Sequence, residues 1–374
     1  MSHAVVIACG GTGGHLTPGI ALAERLAEHG LESLLLTSHK RVDSRLLEKY
    51  PSLRTLAVPG TGLEFTPRGI LRFASSQASA IRFARRLFKE QRPRAFVSFG
   101  GFLTLGPALA GRMAGIPVIL HEANRVPGKA VRALSRLATH IWLPPGLELA
   151  ARPGIVRHAG FPVRREFVKL PRADARRALG IPEAGPLLLV FGGSQGAATL
   201  NAWASKNSEQ LRASGAHLLC VTGPDAAGCA SKESGMGKND GHSDPASPFL
   251  RFIPFCDRMP EALSAADLVL ARAGAGSIAE FAACETPSVL VPLPSAADNH
   301  QEANARHFSA LGGARLVPQG RLQDATGEIL RLLHDASALK TMRDALKAAS
   351  GAFDWRPMLD DIIQIATQSP SDHR

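Results

Sequence analysis

Two segments of this chain repeat one pattern: an apolar run of strand length, a glycine-rich loop, then a stretch with helical periodicity. The first passes from Val5, Val6 and Ile7 through Gly10–Gly14 into a helical run at Pro18–His29; the second passes from Leu187–Phe191 through Gly192–Gly196 into a helix from Thr199. A short, wholly apolar strand that runs straight into a helix predicts a βα unit, because a parallel sheet covered on both faces leaves its strands no polar side. Further strand candidates at Ser33–Thr37, Ala95–Phe99, Pro117–His121 and His140–Leu143 follow the first loop. Others at His217–Thr222, Leu250–Phe255, Leu268–Ala271 and Ser288–Val291 follow the second. Alternation of these runs with helical stretches predicts an α/β protein of two doubly wound, Rossmann-like parallel sheets. Ligands are expected at the carboxyl ends of the strands and in the crevice where the two halves face each other.

At 374 residues the chain exceeds what one core usually serves. The junction is expected near 159–165, with a first domain at 1–163 and a second at 164–350. Residues 351–374 are expected to form a closing helix and tail that pack back toward the first domain. Residues 228–248 are rich in Ser, Gly and Asp without periodicity, and read as a surface insertion with no assigned chemistry. Five cysteines, at 9, 220, 229, 256 and 284, never form a C-x-x-C pair, which argues against a disulfide framework or zinc site and for a reducing cytosol. The opening run Ala4–Ala8 has no basic flank or long apolar core, so no secretory signal is expected. Val97–Leu120, the most apolar stretch, is broken by Arg112 and by seven glycines and prolines, a pattern unlike a membrane span.

Charge is unevenly placed. Residues 1–165 hold 23 Lys and Arg against 9 Asp and Glu, a net +14, whereas the whole chain is +11, so the remainder is −3. An anionic partner for the first half follows, either nucleic acid or an anionic bilayer. Arg68, Arg72, Arg82, Arg85, Arg86, Lys89, Arg92 and Arg94 face one acid, Glu90, and are interleaved with Ile70, Leu71, Phe73, Ile81, Phe83, Leu87 and Phe88. Such a basic amphipathic stretch suits anionic headgroups, and ordinary packing of its apolar side is the competing fate. No helix-turn-helix, RNP or zinc pattern accompanies the charge, so nucleic acid is not expected as the partner.

Three glycine loops carry the chemistry. Gly10-Gly11-Thr12-Gly13-Gly14-His15 lies between strand and helix, where a bare backbone approaches a ligand and the helix start offers amides to a diphosphate. It is not a dinucleotide fingerprint: Leu16 stands where a third glycine is required, and the second strand ends in Thr37-Ser38 without an acid for ribose. Gly192-Gly193-Ser194-Gln195-Gly196-Ala197 repeats the context. Arg272–Glu280 follows a third strand, with loop amides for phosphate and Glu280 for ribose hydroxyls or for its own helix dipole.

These loops, together with His121-Glu122-Ala123-Asn124, Gly160–Arg164 and Asp298–Asn304, occur in an order that resembles the MurG family, the GT-B glycosyltransferases of family 28. The likeness runs from Val5 to about Asn304. It implies a GT-B fold and transfer of N-acetylglucosamine (GlcNAc) from UDP-GlcNAc to the muramoyl 4-hydroxyl of undecaprenyl-pyrophosphoryl-MurNAc-pentapeptide (lipid I), with inversion, giving lipid II for peptidoglycan. The implied place is the cytoplasmic face of the cell inner membrane, as a peripheral protein. Carried over residue by residue, it puts Thr12, Gly13 and Gly14 beside the donor sugar and acceptor diphosphate. It puts Asn124 near the sugar, Arg164 and Ser194 near the UDP phosphates, and the backbone of Cys256 against uracil. Ala275, Gly276, Ser277, Ile278 and Ala279 hold phosphate and ribose with Glu280 on the ribose, and His300, Gln301 and Asn304 meet the donor sugar. A Gln-Gln pair of some relatives is His300-Gln301 here, so His300 departs from the pattern.

Inversion needs a base for the hydroxyl proton and counter-charge for the diphosphate. His15 and Glu122 are rival bases: a histidine titrates near neutrality, and Glu122 is a carboxylate at a strand end of the same half. No D-x-D pattern occurs, which fits a reaction with neither metal nor cofactor. Another UDP-sugar enzyme, such as a natural-product glycosyltransferase or a UDP-GlcNAc epimerase, shares the donor features but lacks a reason for the GGTGGH loop and the basic surface.

Overall fold

The computed structural model describes residues 4–11, 13–38, 45–62, 66–193, 196–223 and 249–368; the insertion at 228–248 lies outside the described residues. The chain divides into two units, residues 1–165 with 351–374, and residues 166–350.

Seven strands build the first unit: β1 Val5–Ala8, β2 Ser33–Thr37, β3 Arg54–Ala57, β4 Ala95–Ser98, β5 Val118–His121, β6 His140–Leu143 and β7 Val156–His158. They lie in the order β3-β2-β1-β4-β5-β6-β7, all neighbours parallel. Alternation divides each strand between two layers. Val5 and Ile7 of β1 join Leu16, Ile20 and Leu26 of the Gly13–Glu28 helix, while Val6 and Ala8 meet the layer of Ala80, Ala84 and Phe88 from the Pro67–Gln91 helix. With both faces covered, every residue of β1, β4 and β5 is buried. Each large apolar side chain so buried contributes about 1.5–3 kcal/mol against water.

The Arg356–Thr367 helix completes the first of these layers through Met358, Leu359, Ile362, Ile365 and Ala366, spaced along one helical face. Its Asp361 carboxylate accepts from Trp142 Nε1 at 3.3 Å, from His140 Nδ1 at 2.8 Å, and from Arg157. Arg157 also approaches His140 Nε2 at 3.3 Å. Where the chain leaves this unit it meets its own return: the Gly160 amide donates to the Asp354 carbonyl at 2.8 Å, and a Cβ on Gly160 would fall 2.2 Å from the Phe353 carbonyl. Only glycine fits that crossing.

The second unit has β8 Leu187–Phe191, β9 His217–Val221, β10 Leu250–Ile253, β11 Leu268–Ala271, β12 Ser288–Leu290 and β13 Ala314–Leu316. Their order is β10-β9-β8-β11-β12-β13, again all parallel. Trp203, wholly buried against this sheet, satisfies its indole by donating to Thr326 Oγ1 at 3.0 Å. Arg176 is also fully buried, with its guanidinium among the carbonyls of Pro182, Glu183, Gly185 and Ala265 and 2.8 Å from Asp267. Burial, reinforced by the Arg172 charge and opposed by Asp267, pulls its pKa down to about 10, which still leaves it charged at neutral pH.

Each sheet sets its first strand beside its fourth, β1 by β4 and β8 by β11. At such a reversal of winding the loops leaving the two carboxyl ends diverge and expose backbone to a ligand.

Candidate functional site

In the first unit the loop leaving β1 enters the Gly13–Glu28 helix, which begins inside the glycine motif. Gly10 lies against the β2 end, where a Cβ would stand 2.4 Å from the Ser38 amide nitrogen; Gly11, at φ +107°, lies under the Phe102 ring. The first amides of any helix lack intrahelical partners, so Gly13, Gly14 and His15 present an anion-receptive start. Pro18, inside the helix, has no amide to give the Gly14 carbonyl, which loosens the same turn.

The loop leaving β4 runs opposite, with Gly100 and Gly101 at φ +92° and +82°. Their α-carbons back the half-buried His15 ring: a Cβ on Gly101 would stand 3.1 Å from Nδ1, and one on Gly100 3.6 Å from Nε2. The sequence reading assigned this loop no role. Its signal was the Gly100-Gly101 pair placed directly after a strand.

At the β5 end, His121 is buried between Phe99 and Phe161, with ring centroids 5.3 and 6.1 Å away. Its Nε2 lies 3.3 Å from the Gly160 carbonyl, to which only a protonated nitrogen can donate. Burial lowers its pKa to about 4, with the Gly160 hydrogen bond opposing, so the ring is neutral at physiological pH. Glu122, beside it, is also buried. One of its oxygens accepts from the Asn124 amide at 2.8 Å and the Asn124 side chain at 3.1 Å, and the other accepts from the Gly128 amide at 2.6 Å. Both oxygens thus shape the 123–128 loop and orient Asn124. Arg164 lies at the end of this unit, its guanidinium 3.1 Å from the Tyr50 hydroxyl.

In the second unit the carboxyl ends of β8 and β11 carry the other two loops. Gly192 fits only as glycine, since a Cβ would stand 2.3 Å from Ala197, and a Cβ on Gly196 would stand 2.1 Å from the Thr222 carbonyl. Thr12 of the first loop and Ser194 of the second lie outside the described residues. The Ala275–Ala283 helix starts from Gly274 with no side-chain cap, so the Ala275, Gly276 and Ser277 amides are left to a ligand or solvent. Ile278 and Ala279 turn into the core, and Glu280 is half-buried on the second turn.

The His300–Ala310 helix is set against these loops by its own polar residues. Asn304, buried, donates to the Ala273 carbonyl at 3.1 Å; Gln301 Oε1 accepts from the Leu293 amide at 3.0 Å. His300 Nδ1 lies 2.7 Å from the Ala297 carbonyl. Asp298 and Asn299 precede it in the left-handed region, at φ +50° and +54°, a strained pair of the kind found at ligand loops. Cys256 is buried just beyond the β10 end. Arg272 donates to the Val291 and Pro292 carbonyls at 3.0 and 3.3 Å and to Gln319, tying the β11 and β12 ends together.

The chain matches the glycosyltransferase family 28 N-terminal domain over residues 5–143 and the family 28 C-terminal domain over residues 187–354. It is 47% identical over 361 residues to the UDP-N-acetylglucosamine–N-acetylmuramyl-(pentapeptide) pyrophosphoryl-undecaprenol N-acetylglucosamine transferase of Opitutus terrae, covering 96% of this chain and 94% of that protein. The protein of the same name from Prochlorococcus marinus is 36% identical over 338 residues, covering 87% and 88%. Among solved structures, Acinetobacter baumannii MurG superposes with TM-score 0.68 at 26% identity, over 97% of this chain and 100% of that one. LpCGTa in complex with UDP reaches TM-score 0.68 at 17% identity, over 99% and 100%, a likeness of fold alone.

Proposed function

The chain belongs to glycosyltransferase family 28, and on that premise we propose that it transfers GlcNAc from UDP-GlcNAc to the muramoyl 4-hydroxyl of lipid I, giving lipid II. One observation carries the reading: each unit ends its central strand pair in a glycine loop and a helix start, an arrangement that suits a diphosphate, and the reaction has two diphosphate-bearing substrates.

The donor belongs to the second unit. Amides of Ala275, Gly276 and Ser277 with Ser194 take the UDP phosphates, Glu280 takes the ribose hydroxyls, and the Cys256 main chain takes uracil. Gln301 and Asn304 face the sugar and also fix the Leu293 and Ala273 loops. His300 bonds its own turn, so it contributes shape more than a sugar contact. The acceptor belongs to the first unit, its diphosphate on Thr12, Gly13 and Gly14 and its sugar near Asn124. Arg164 adds positive charge for the leaving group.

As the 4-hydroxyl oxygen bonds to the anomeric carbon from the face opposite UDP, the bond from that carbon to the phosphate oxygen breaks, and the hydroxyl proton passes to His15. Glu122 is the weaker base because three hydrogen-bond donors already occupy its two oxygens. Charge growing on the diphosphate is met by prearranged amides, the largest kind of electrostatic help a site can give. A transfer assay with labelled UDP-GlcNAc and a short-chain lipid I analogue, run beside UDP-glucose and with EDTA, tests this. Product from UDP-GlcNAc alone is expected; absence of transfer, or equal use of UDP-glucose, sinks it.

The site of work is the cytoplasmic face of the inner membrane, reached through the Pro67–Gln91 helix. Thr66 caps that helix, accepting from the Gly69 amide at 3.0 Å. Ile70 and Leu71 are 50% and 71% exposed between Arg68 and Arg72, while Arg82, Arg85, Arg86 and Lys89 are exposed further along. Apolar tips set among cations favour anionic headgroups. Among the described residues no helix is long and apolar enough to cross a membrane. Co-sedimentation with anionic vesicles should fall with added salt and with loss of Arg82, Arg85 and Arg86; binding indifferent to both contradicts the surface.

A further inference from the structure

The loop that backs His15 is held by a closed circuit of hydrogen bonds. The Gly100 amide donates to Ser98 Oγ at 3.1 Å, the Ser98 hydroxyl donates to Thr104 Oγ1 at 2.9 Å, and the Thr104 hydroxyl donates to the Gly100 carbonyl at 2.7 Å. The path begins and ends on one residue, and both hydroxyls, each 1% exposed, give one bond and take one. Rings of this kind polarise each member in the same sense, and in a buried place a broken link leaves an unpaired polar group.

Thr104 is also the residue at the start of the Leu105–Met113 helix, where a threonine ordinarily caps. Here it makes no cap bond, its hydroxyl being spent on Gly100; the Gly106 amide is capped by Gln77 Oε1 at 3.1 Å instead. Gln77 comes from the Pro67–Gln91 helix, is 7% exposed, and also donates to the Phe102 carbonyl at 3.3 Å. Three buried polar side chains therefore fix a loop whose two left-handed glycines leave the room beside the imidazole that a Cβ on either would take.

We infer that Ser98, Thr104 and Gln77 are positioning residues, which hold Gly100-Gly101 as the seat of the His15 ring and set its angle toward the acceptor hydroxyl. The inference rests on the reading of His15 as the base. Thr104→Val removes one hydroxyl at constant shape, and Ser98→Ala removes the other should that variant fold poorly. Each should lower kcat up to about 100-fold, the effect of displacing a reacting group by about an ångström. KM for UDP-GlcNAc should stay unchanged, Thr104→Ser should restore turnover, and Thr104→Val should add no loss to His15→Ala. The NMR titration of the His15 ring should move in Thr104→Val and return in Thr104→Ser. An unmoved titration, or an equal further loss in the His15→Ala background, overturns the seat. Normal turnover of His15→Ala together with a moved titration overturns the base and leaves the seat standing.

Discussion

His15 and Glu122 are rivals for one proton in the proposed reaction, and their surroundings differ. Glu122 is enclosed and gives both oxygens to its own loop; His15 is half-buried, with the bare α-carbons of Gly100 and Gly101 beside its ring. His15→Ala is expected to lower kcat by about 10²–10⁴ while UDP binding, measured by calorimetry, persists. The glycine-rich loops were legible as turns from strand to helix because glycine in such density has few other uses. The Gly100-Gly101 seat was not, since two glycines after a strand look like any turn until a histidine from elsewhere in the chain meets them. Nor could residue type reveal that Asn304 and Gln301 spend bonds on neighbouring backbone.

Strands and helices were legible in proportion to their burial. β2, β6, β8 and β11 lie where apolar runs predict them, whereas β3, β7 and β13 went unseen. All three are sheet edges, with Arg54, Arg157 and Arg315 among their residues and most of their side chains exposed or half-buried, so neither a continuous apolar run nor a clean alternation marks them. The closing helix shows how an element is held by ionisation. Burial opposes the charge on Asp361, but the hydrogen bond and charge of His140, with Arg157 and Trp142, outweigh it and lower the pKa. His121, tying β5 to Gly160, is depressed by burial to about 4. Both groups bind protons more readily when unfolded, so both contributions are complete at neutral pH and vanish on acidification. Thermal melts of the first unit should therefore decline from about pH 6.5 toward 4 as His121 is protonated on unfolding, and further below about pH 4 through Asp361. Asp361→Ala should destabilise this unit by about 3–5 kcal/mol at pH 7 and abolish the lower step. A profile flat from pH 7 to 4 would contradict the His121 part.

The two units differ in how the chain composes them. Residues 166–350 are continuous, with Trp203, Arg176 and a six-stranded sheet all within them, and this fragment should fold alone with a single cooperative transition. Residues 1–165 lack the helix that supplies Met358, Ile362 and the Asp361 carboxylate, and should need a 351–368 peptide in trans to regain native far-ultraviolet dichroism. Folding of 1–165 without it would show that the helix is an accessory. Two doubly wound halves were readable from the sequence because their glycine loops mark the start of each.

A discontinuous unit also imposes an order on biogenesis. A nascent chain that has emerged through residue 350 can hold a finished second sheet while the first still exposes an apolar trough on β4 and the Gly13–Glu28 helix, the elements against which the closing helix packs. That trough is filled only when residues 356–367 arrive, so the half with the basic helix matures last, and chaperones guarding nascent apolar surface have their longest task there.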